Sequence, residues 1–154
     1  MSPRKTVVEW VYFDTSVLVK RYVREEGSRR ARELLRRHRL LSCAIAPLEA
    51  LSAFSRRRAA GELSARSFGA IMSRLRADRD HWELVEVNAS LLGRAEEVIA
   101  RAEVRMLDAL HIASALAFQE LSGLRVPFVT ADERQRDAAQ QMGLQVMSIS
   151  STSR

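Results

Sequence analysis

The stretch WVYFDTSVLVKRY (Trp10 to Tyr22) decides how this chain is read. Val7-Val8 and then Trp10 to Phe13, interrupted only by Glu9, have the β-branched and aromatic character of a buried strand. The run ends on Asp14, and the chain turns apolar again at Val17, Leu18 and Val19. Local physics accounts for part of this. Asp14-Thr15-Ser16 can stop the strand and cap the next helix, because short oxygen-bearing side chains accept hydrogen bonds from its free N–H groups. Whether Asp14 does more depends on the rest of the chain.

At 154 residues the chain is read as a single domain, residues 1–154, with a core from about 7 to 149. Hydrophobic content is 47% and charged content 29%, the balance of a soluble globular protein. No apolar run approaches the ~20 residues needed to cross a bilayer. The start, Met-Ser-Pro-Arg-Lys, leads into a strand and not into a signal sequence, so a cytoplasmic location without membrane contact is expected. The lone Cys43 lies in an apolar run and reads as an inert core thiol. The net charge is +6, and all but two of the 25 basic residues are arginine. That excess suits a phosphate-bearing partner without proving one.

Outward from the first strand, strands and helices alternate. A short helix Thr15–Arg24 is followed by Gly27-Ser28, which breaks the chain and caps a helix to about Arg37. Strand Leu40–Ala46 precedes a helix with Pro47 at its first position, reaching about Ala60. Ser64 starts a helix to about Arg79, then come strand Glu83–Val87 and helices from Asn88 to about Glu103 and from Leu107 to Leu121. Strand Val126–Thr130, helix Ala131–Met142 and strand Leu144–Ile149 close the pattern, with a frayed tail from Ser148. Such alternation predicts a small, mostly parallel sheet with helices on both faces. Ligands then bind beyond the carboxyl ends of the strands.

Three acids fall at those ends. Asp14 follows the first strand, Glu49 lies in the first helical turn after the second, and Asp132 follows VPFVT. Thr130 to Glu133 matches a capping box with Glu133 as the reciprocal partner, which leaves Asp132 without a local role. The fourth acid, Asp108, begins a helix that is apolar on almost every side, broken only by Asp108, His111 and Ser114 at three-residue intervals. A carboxylate on a buried helix is costly unless it is paired, protonated or bound to a cation, and Arg105 is the nearest pairing candidate. Four converging acids repel one another and call for protonation or a cation. An all-oxygen donor set suits Mg²⁺ or Mn²⁺ and not zinc. His38, His81 and His111 show no metal spacing; His111 reads as a core histidine within reach of Asp108. Trp10 and Trp82 read as packing residues.

YFDTSVLVKRY, APLEALSAF, LDALHIASAL and VTADERQRDAAQQMGL together resemble, in order and spacing, PIN-domain ribonucleases, and most closely the VapC toxins of type II toxin–antitoxin systems. The resemblance spans about Val8 to Ile149; Ala46 before Pro47 and Leu48 departs from the more usual polar or β-branched residues. It implies a PIN-like three-layer α/β/α fold. It places the family's acidic quartet at Asp14, Glu49, Asp108 and Asp132, with Ser16 and Thr130 in support and the metal held mainly by Asp14 and Asp108. It also implies a Mg²⁺-dependent endoribonuclease, with Mn²⁺ able to substitute, a homodimer, and a VapB-type antitoxin as partner. Arg56, two helical turns from Glu49, and Arg57 are candidate phosphate contacts, as is the run Arg29 to Arg39, which also fits a solvated helix face.

Other phosphoryl chemistries fit less well. A response receiver needs a paired acid near the first strand end and a late lysine; here Tyr12-Phe13 precede Asp14 and no lysine follows Lys20. A haloacid-dehalogenase-type phosphatase needs an Asp where Ser16 stands. A binding module needs no four converging acids. A PIN nuclease acting in RNA processing or on DNA is the main rival, and the compact length favours the toxin.

Overall fold

The computed structural model describes residues 8–149. The chain runs β1 (Trp10–Phe13), α1 (Thr15–Tyr22), α2 (Ser28–Arg37), β2 (Arg39–Cys43), α3 (Ala46–Ala59) and α4 (Ala65–Arg79). It continues with β3 (Glu83–Val85), α5 (Ala89–Arg101), α6 (Met106–Ser122), β4 (Phe128–Thr130), α7 (Glu133–Gln141) and β5 (Val146–Ser148). Every predicted element is present, with ends shifted by a few residues. Val7, placed at the start of the first strand, and the tail beyond 149 lie outside the described residues.

The five strands form one sheet in the order β3-β2-β1-β4-β5, and all four pairings are parallel. The alternation in WVYF sorts the two faces, since successive side chains on a strand point to opposite sides. Val11 and Phe13 pack with Val17 and Leu18 of α1 and with Ala31 and Leu34 of α2. Tyr12 and Phe128 pack on the other face with residues of α5, α6 and α7, their rings stacked with centroids 5.1 Å apart. The result is three layers, α/β/α. A third cluster, with Phe54 and Ala50 of α3, Val19 and Tyr22 of α1 and Ile71 of α4, extends the first helical layer.

Two local readings need correction. Ser28 does not cap α2: Gly27 is the cap residue at φ 82°, and the Ser28 hydroxyl instead donates to the Val23 carbonyl and accepts from Glu25 N–H. At Thr130 the expected capping box is replaced by a cap at Asp132, whose carboxylate accepts from Gln135 N–H at 3.0 Å. Glu133 is the first residue of α7 and not a reciprocal partner. Among the described residues no helix is long and apolar enough to cross a membrane.

Candidate active site

The chain order decides where a site can form. From β1 the strands step outward to β2 and β3; the chain then returns through α5 and α6 to lay β4 on the other side of β1. The connections therefore diverge between β1 and β4, and a crevice opens at their carboxyl ends. Asp14 follows β1 and Asp132 follows β4, so these two acids flank that point. The Asp14 N–H donates to the Val129 carbonyl at 3.0 Å, and the Ala131 N–H donates to Ser16 Oγ at 3.1 Å. Ser16 thus ties the two acid-bearing turns together.

All four sequence-predicted acids occupy helix N-termini. Asp14 caps α1 by accepting from Ser16 N–H at 3.0 Å, and Asp132 caps α7. Glu49 and Asp108 lie in the first turns of α3 and α6. The helix dipoles favour negative charge there and offset part of the mutual repulsion. The capping and clustering readings of Asp14 are therefore both correct. Glu49, Asp108 and Asp132 line one open cleft of about 790 Å³, together with Glu103, Arg105 and Arg134. Asp14 lies deeper, 7% exposed.

Electrostatics bears out the crowding. Burial, then the carboxylates of Asp14 and Asp132, push the Asp108 carboxyl above the usual range, with Glu49 adding to the effect. Among the described residues no ion pair within 4 Å joins Arg105 to Asp108; Arg105 lines the cleft instead.

Two buried side chains that sequence reasoning did not place in the site hold it together. Gln135 is fully buried: its Nε2 donates to Asp14 Oδ1 at 3.0 Å and its Oε1 accepts from Thr130 Oγ1 at 2.6 Å. Thr130 Oγ1 accepts in turn from Asp132 N–H at 3.1 Å. His111 is a core histidine, as expected, but its partners are different. Its Nδ1 meets the Tyr12 hydroxyl at 2.7 Å, and its Nε2 meets Glu49 Oε1 at 2.6 Å, Thr15 Oγ1 at 3.2 Å and Asp14 Oδ1 at 3.5 Å. Thr15 Oγ1 also donates to Glu49 Oε1 at 2.9 Å. Burial opposes protonation of His111, but the Asp14 and Glu49 carboxylates outweigh it and raise the imidazole pKa. The sequence signal for His111 was its place in the polar stripe with Asp108 and Ser114.

The arginines divide. Arg56 is exposed and donates to Ser52 Oγ at 2.9 Å; Arg57 pairs with Glu25, clamping α3 to the loop after α1. Arg30 and Arg37 both pair with Glu33, Arg32 donates to the Arg21 carbonyl, and Arg39 lies over the Trp10 ring. That run is mostly locally engaged, which favours the helix-face reading. Trp10 also meets Phe118 edge to face, and Cys43 is buried and free, both as expected. Val17, Leu18 and Val19, the apolar run after Asp14, are buried core residues and offer no surface to a partner. The exposed apolar side chains near the acids are Leu48, Met106 and Leu107.

The PIN-domain family model matches residues 11–141, a span that includes all four acids. A curated relative from Mycobacterium tuberculosis (strain ATCC 25618 / H37Rv), Ribonuclease VapC46, is 36% identical over 138 residues, which is 89% of this chain and 95% of that protein. The chain is a PIN-domain protein of the VapC ribonuclease family. Solved structures share the PIN fold at low sequence identity. FitAcB from Neisseria gonorrhoeae superposes with a TM-score of 0.66 at 14% identity, covering 90% of this chain and 97% of that one. VapBC2 from Rickettsia felis, bound to a DNA fragment from its promoter, gives 0.63 at 14%, covering 92% and 98%. A toxin–antitoxin complex from Klebsiella pneumoniae gives 0.61 at 13%, covering 90% and 97%. In this VapC-family chain the three-layer architecture is the PIN architecture, and its strand order accounts for where the acids meet.

Proposed function

We propose that this protein is a Mg²⁺-dependent endoribonuclease that hydrolyses RNA phosphodiester bonds as the toxin of a type II toxin–antitoxin pair, acting in the cytoplasm. The observation that carries the reading is that four acids stand at helix N-termini, with Glu49, Asp108 and Asp132 lining one cleft and Asp14 lying deeper, where its charge still acts on Asp108. The donor set fits a hard divalent ion. Asp14 accepts one hydrogen bond on each carboxylate oxygen, from Ser16 and Gln135, with His111 Nε2 a further 3.5 Å from Oδ1, and keeps lone pairs on both. Among the described residues no group of three or more His, Cys, Asp or Glu side chains is arranged to hold a metal ion. The proposed ligands are two carboxylates, Asp14 and Asp108, with water completing the shell, a mode open to Mg²⁺, and Mn²⁺ would use the same ligands. When bound, such an ion supplies Lewis acidity toward a phosphate oxygen and lowers the pKa of its water.

The chain's own residues do the rest. Asp14 and Asp108 hold the cation. Glu49 and Asp132 orient water, and one of them takes the attacking water's proton. Ser16 and Thr130 keep the two acid-bearing turns in place. Arg134 and Arg105, in the cleft wall, offset the repulsion between the acids and a polyanion, and exposed Arg56 with Arg57 extends the phosphate path. Exposed Leu48, Met106 and Leu107 beside the cleft supply apolar contacts for a second copy of the chain or a VapB-type antitoxin segment. A basic antitoxin residue near the acids would block the cleft.

The test uses the purified protein and an RNA substrate panel. Cleavage is expected with Mg²⁺ or Mn²⁺, lost with a chelator and restored by adding the ion back. Full activity in chelator refutes the carboxylate–metal mechanism. Co-purification with the protein of a neighbouring short reading frame tests the partner: a stable complex that cuts RNA at the free enzyme's rate refutes occlusion of the acids.

A further inference from the structure

We propose that His111 is a positioning residue: its Nε2–H, backed by the buried Tyr12 hydroxyl, fixes Glu49 for its work in the cleft. The geometry determines where the protons sit. Every atom near Nε2 is an acceptor toward it: Glu49 Oε1 at 2.6 Å, Asp14 Oδ1 at 3.5 Å, and Thr15 Oγ1 at 3.2 Å, whose own hydrogen goes to Glu49. Nε2 therefore carries hydrogen. On the other side of the ring, Tyr12 is fully buried, and its hydroxyl meets Nδ1. With a neutral imidazole the phenol donates to Nδ1 at 2.7 Å, and the tautomer is set from inside the core.

The line Tyr12, His111, Glu49 runs from the central strand to the cleft. Tyr12 cannot shift, because it stacks on Phe128 within β4 and sits in the main core cluster. Glu49 Oε1 takes both the His111 and the Thr15 hydrogens, which leaves Oε2 for the cleft. A long, flexible glutamate on a half-exposed helix turn is thereby held in one rotamer. Thr15 lies next to Asp14, so the same brace sets the spacing between Glu49 and the deepest acid. Partners of this kind, one step behind metal- or water-holding carboxylates, change metal affinity or activity by about 10–100-fold when removed.

The catalytic arm of the test rests on the nuclease reading; the binding arm does not. His111→Leu, His111→Gln, Tyr12→Phe and Glu49→Gln are compared with wild type for Mn²⁺ affinity by calorimetry, for kcat and KM on RNA, and for the His111 ring signals by ¹⁵N NMR. His111→Leu is expected to lose about 10–100-fold in kcat or Mn²⁺ affinity with little change in KM. His111→Gln, whose side-chain amide presents a donor in nearly the same place, is expected to recover most of the loss. Tyr12→Phe, which keeps the ring and the fold, is expected to give a smaller loss and to disturb the ring signals. The Glu49→Gln/His111→Leu double variant is expected to be no worse than Glu49→Gln alone, because His111 acts through Glu49. Wild-type kcat and Mn²⁺ affinity in His111→Leu, or losses that add in the double variant, would make His111 a packing residue and overturn the inference. If wild type cuts no RNA with any divalent ion, the nuclease reading fails, and the Mn²⁺ and NMR arms still decide the role of His111.

Discussion

Thr130→Val is nearly isosteric and removes one oxygen from a fully buried relay. Thr130 is 1% exposed; its hydroxyl donates to Gln135 Oε1 at 2.6 Å and accepts from Asp132 N–H at 3.1 Å. Without it, the Gln135 oxygen is buried with no donor, a cost of about 1–3 kcal/mol. The Asp132 N–H sits at the cleft edge and can turn to water, so its loss is about 0.5–1.5 kcal/mol. Together these destabilise the protein by about 1.5–4.5 kcal/mol, which at about 2–4 °C per kcal/mol for a chain of this size lowers Tm by about 3–18 °C. The damage reaches the site as well. With Oε1 unanchored the Gln135 amide is free to turn, and Asp14 loses the Nε2–H that holds its Oδ1. Thermal unfolding by circular dichroism and Mn²⁺ titration measure the two effects separately. A variant that melts with wild type and binds Mn²⁺ equally well would show that the Thr130–Gln135–Asp14 relay does not order the site.

Asp108→Asn is expected to abolish cleavage and to raise the Tm of the metal-free protein at neutral pH. Asp108 has a raised folded pKa, so its ionisation opposes folding above that pKa; the gain should shrink as pH falls and Asp108 protonates in wild type, and an unchanged or lower Tm would refute the crowding. Glu25 behaves oppositely. Burial tends to raise its carboxyl, but Arg57 and Lys20 outweigh it and hold it below the ordinary 4.5, so its contribution is full above that value and is lost as pH falls through the folded pKa. Glu25→Gln should therefore flatten the acid limb of the Tm–pH curve, and an identical limb would refute the role of the clamp. Gly27→Ala should cost about 1–2 kcal/mol, because φ is 82° there and an added Cβ would lie 3.1 Å from the Ile149 carbonyl oxygen. Chemical denaturation that shows no loss would mean the loop relaxes freely.

What the sequence revealed follows from what is local in it. The alternation in WVYF, the first-turn acids and the all-apolar α6 are periodic or adjacent patterns, and they led to the sheet, its helical layers and the four acids. Strand ends shifted where chain geometry intervenes: β4 begins at Phe128 and not Val126, with the Pro127 carbonyl accepting from Tyr12 N–H at 2.8 Å. The family resemblance names Ser16 and Thr130 as supports, but Gln135 and the partners of His111 were not legible, because they are far away along the chain from the residues they meet. Gln135 reaches Asp14 across 121 positions, and His111 reaches Tyr12 across 99 and Glu49 across 62. No spacing rule says that a glutamine in a helix of charged residues is fully buried, or which way a core histidine points. Arg57 shows the same limit: it is basic and near Glu49 in sequence, but the ion pair it makes is to Glu25 in another loop.

The 121-residue span between Asp14 and Gln135 also sets an order of events during synthesis. The first acid leaves the ribosome early, while the residues that cap and brace the far side of the cleft, Asp132 and Gln135, come more than a hundred residues later. At roughly 5–20 residues per second that interval lasts about 6–24 s. Throughout it, β4 is missing, Tyr12 has no ring to stack on, and the crevice between β1 and β4 has only one wall. A growing chain therefore carries an incomplete acidic centre, and the full set of acids is assembled only once β4 and α7 have been made and have docked.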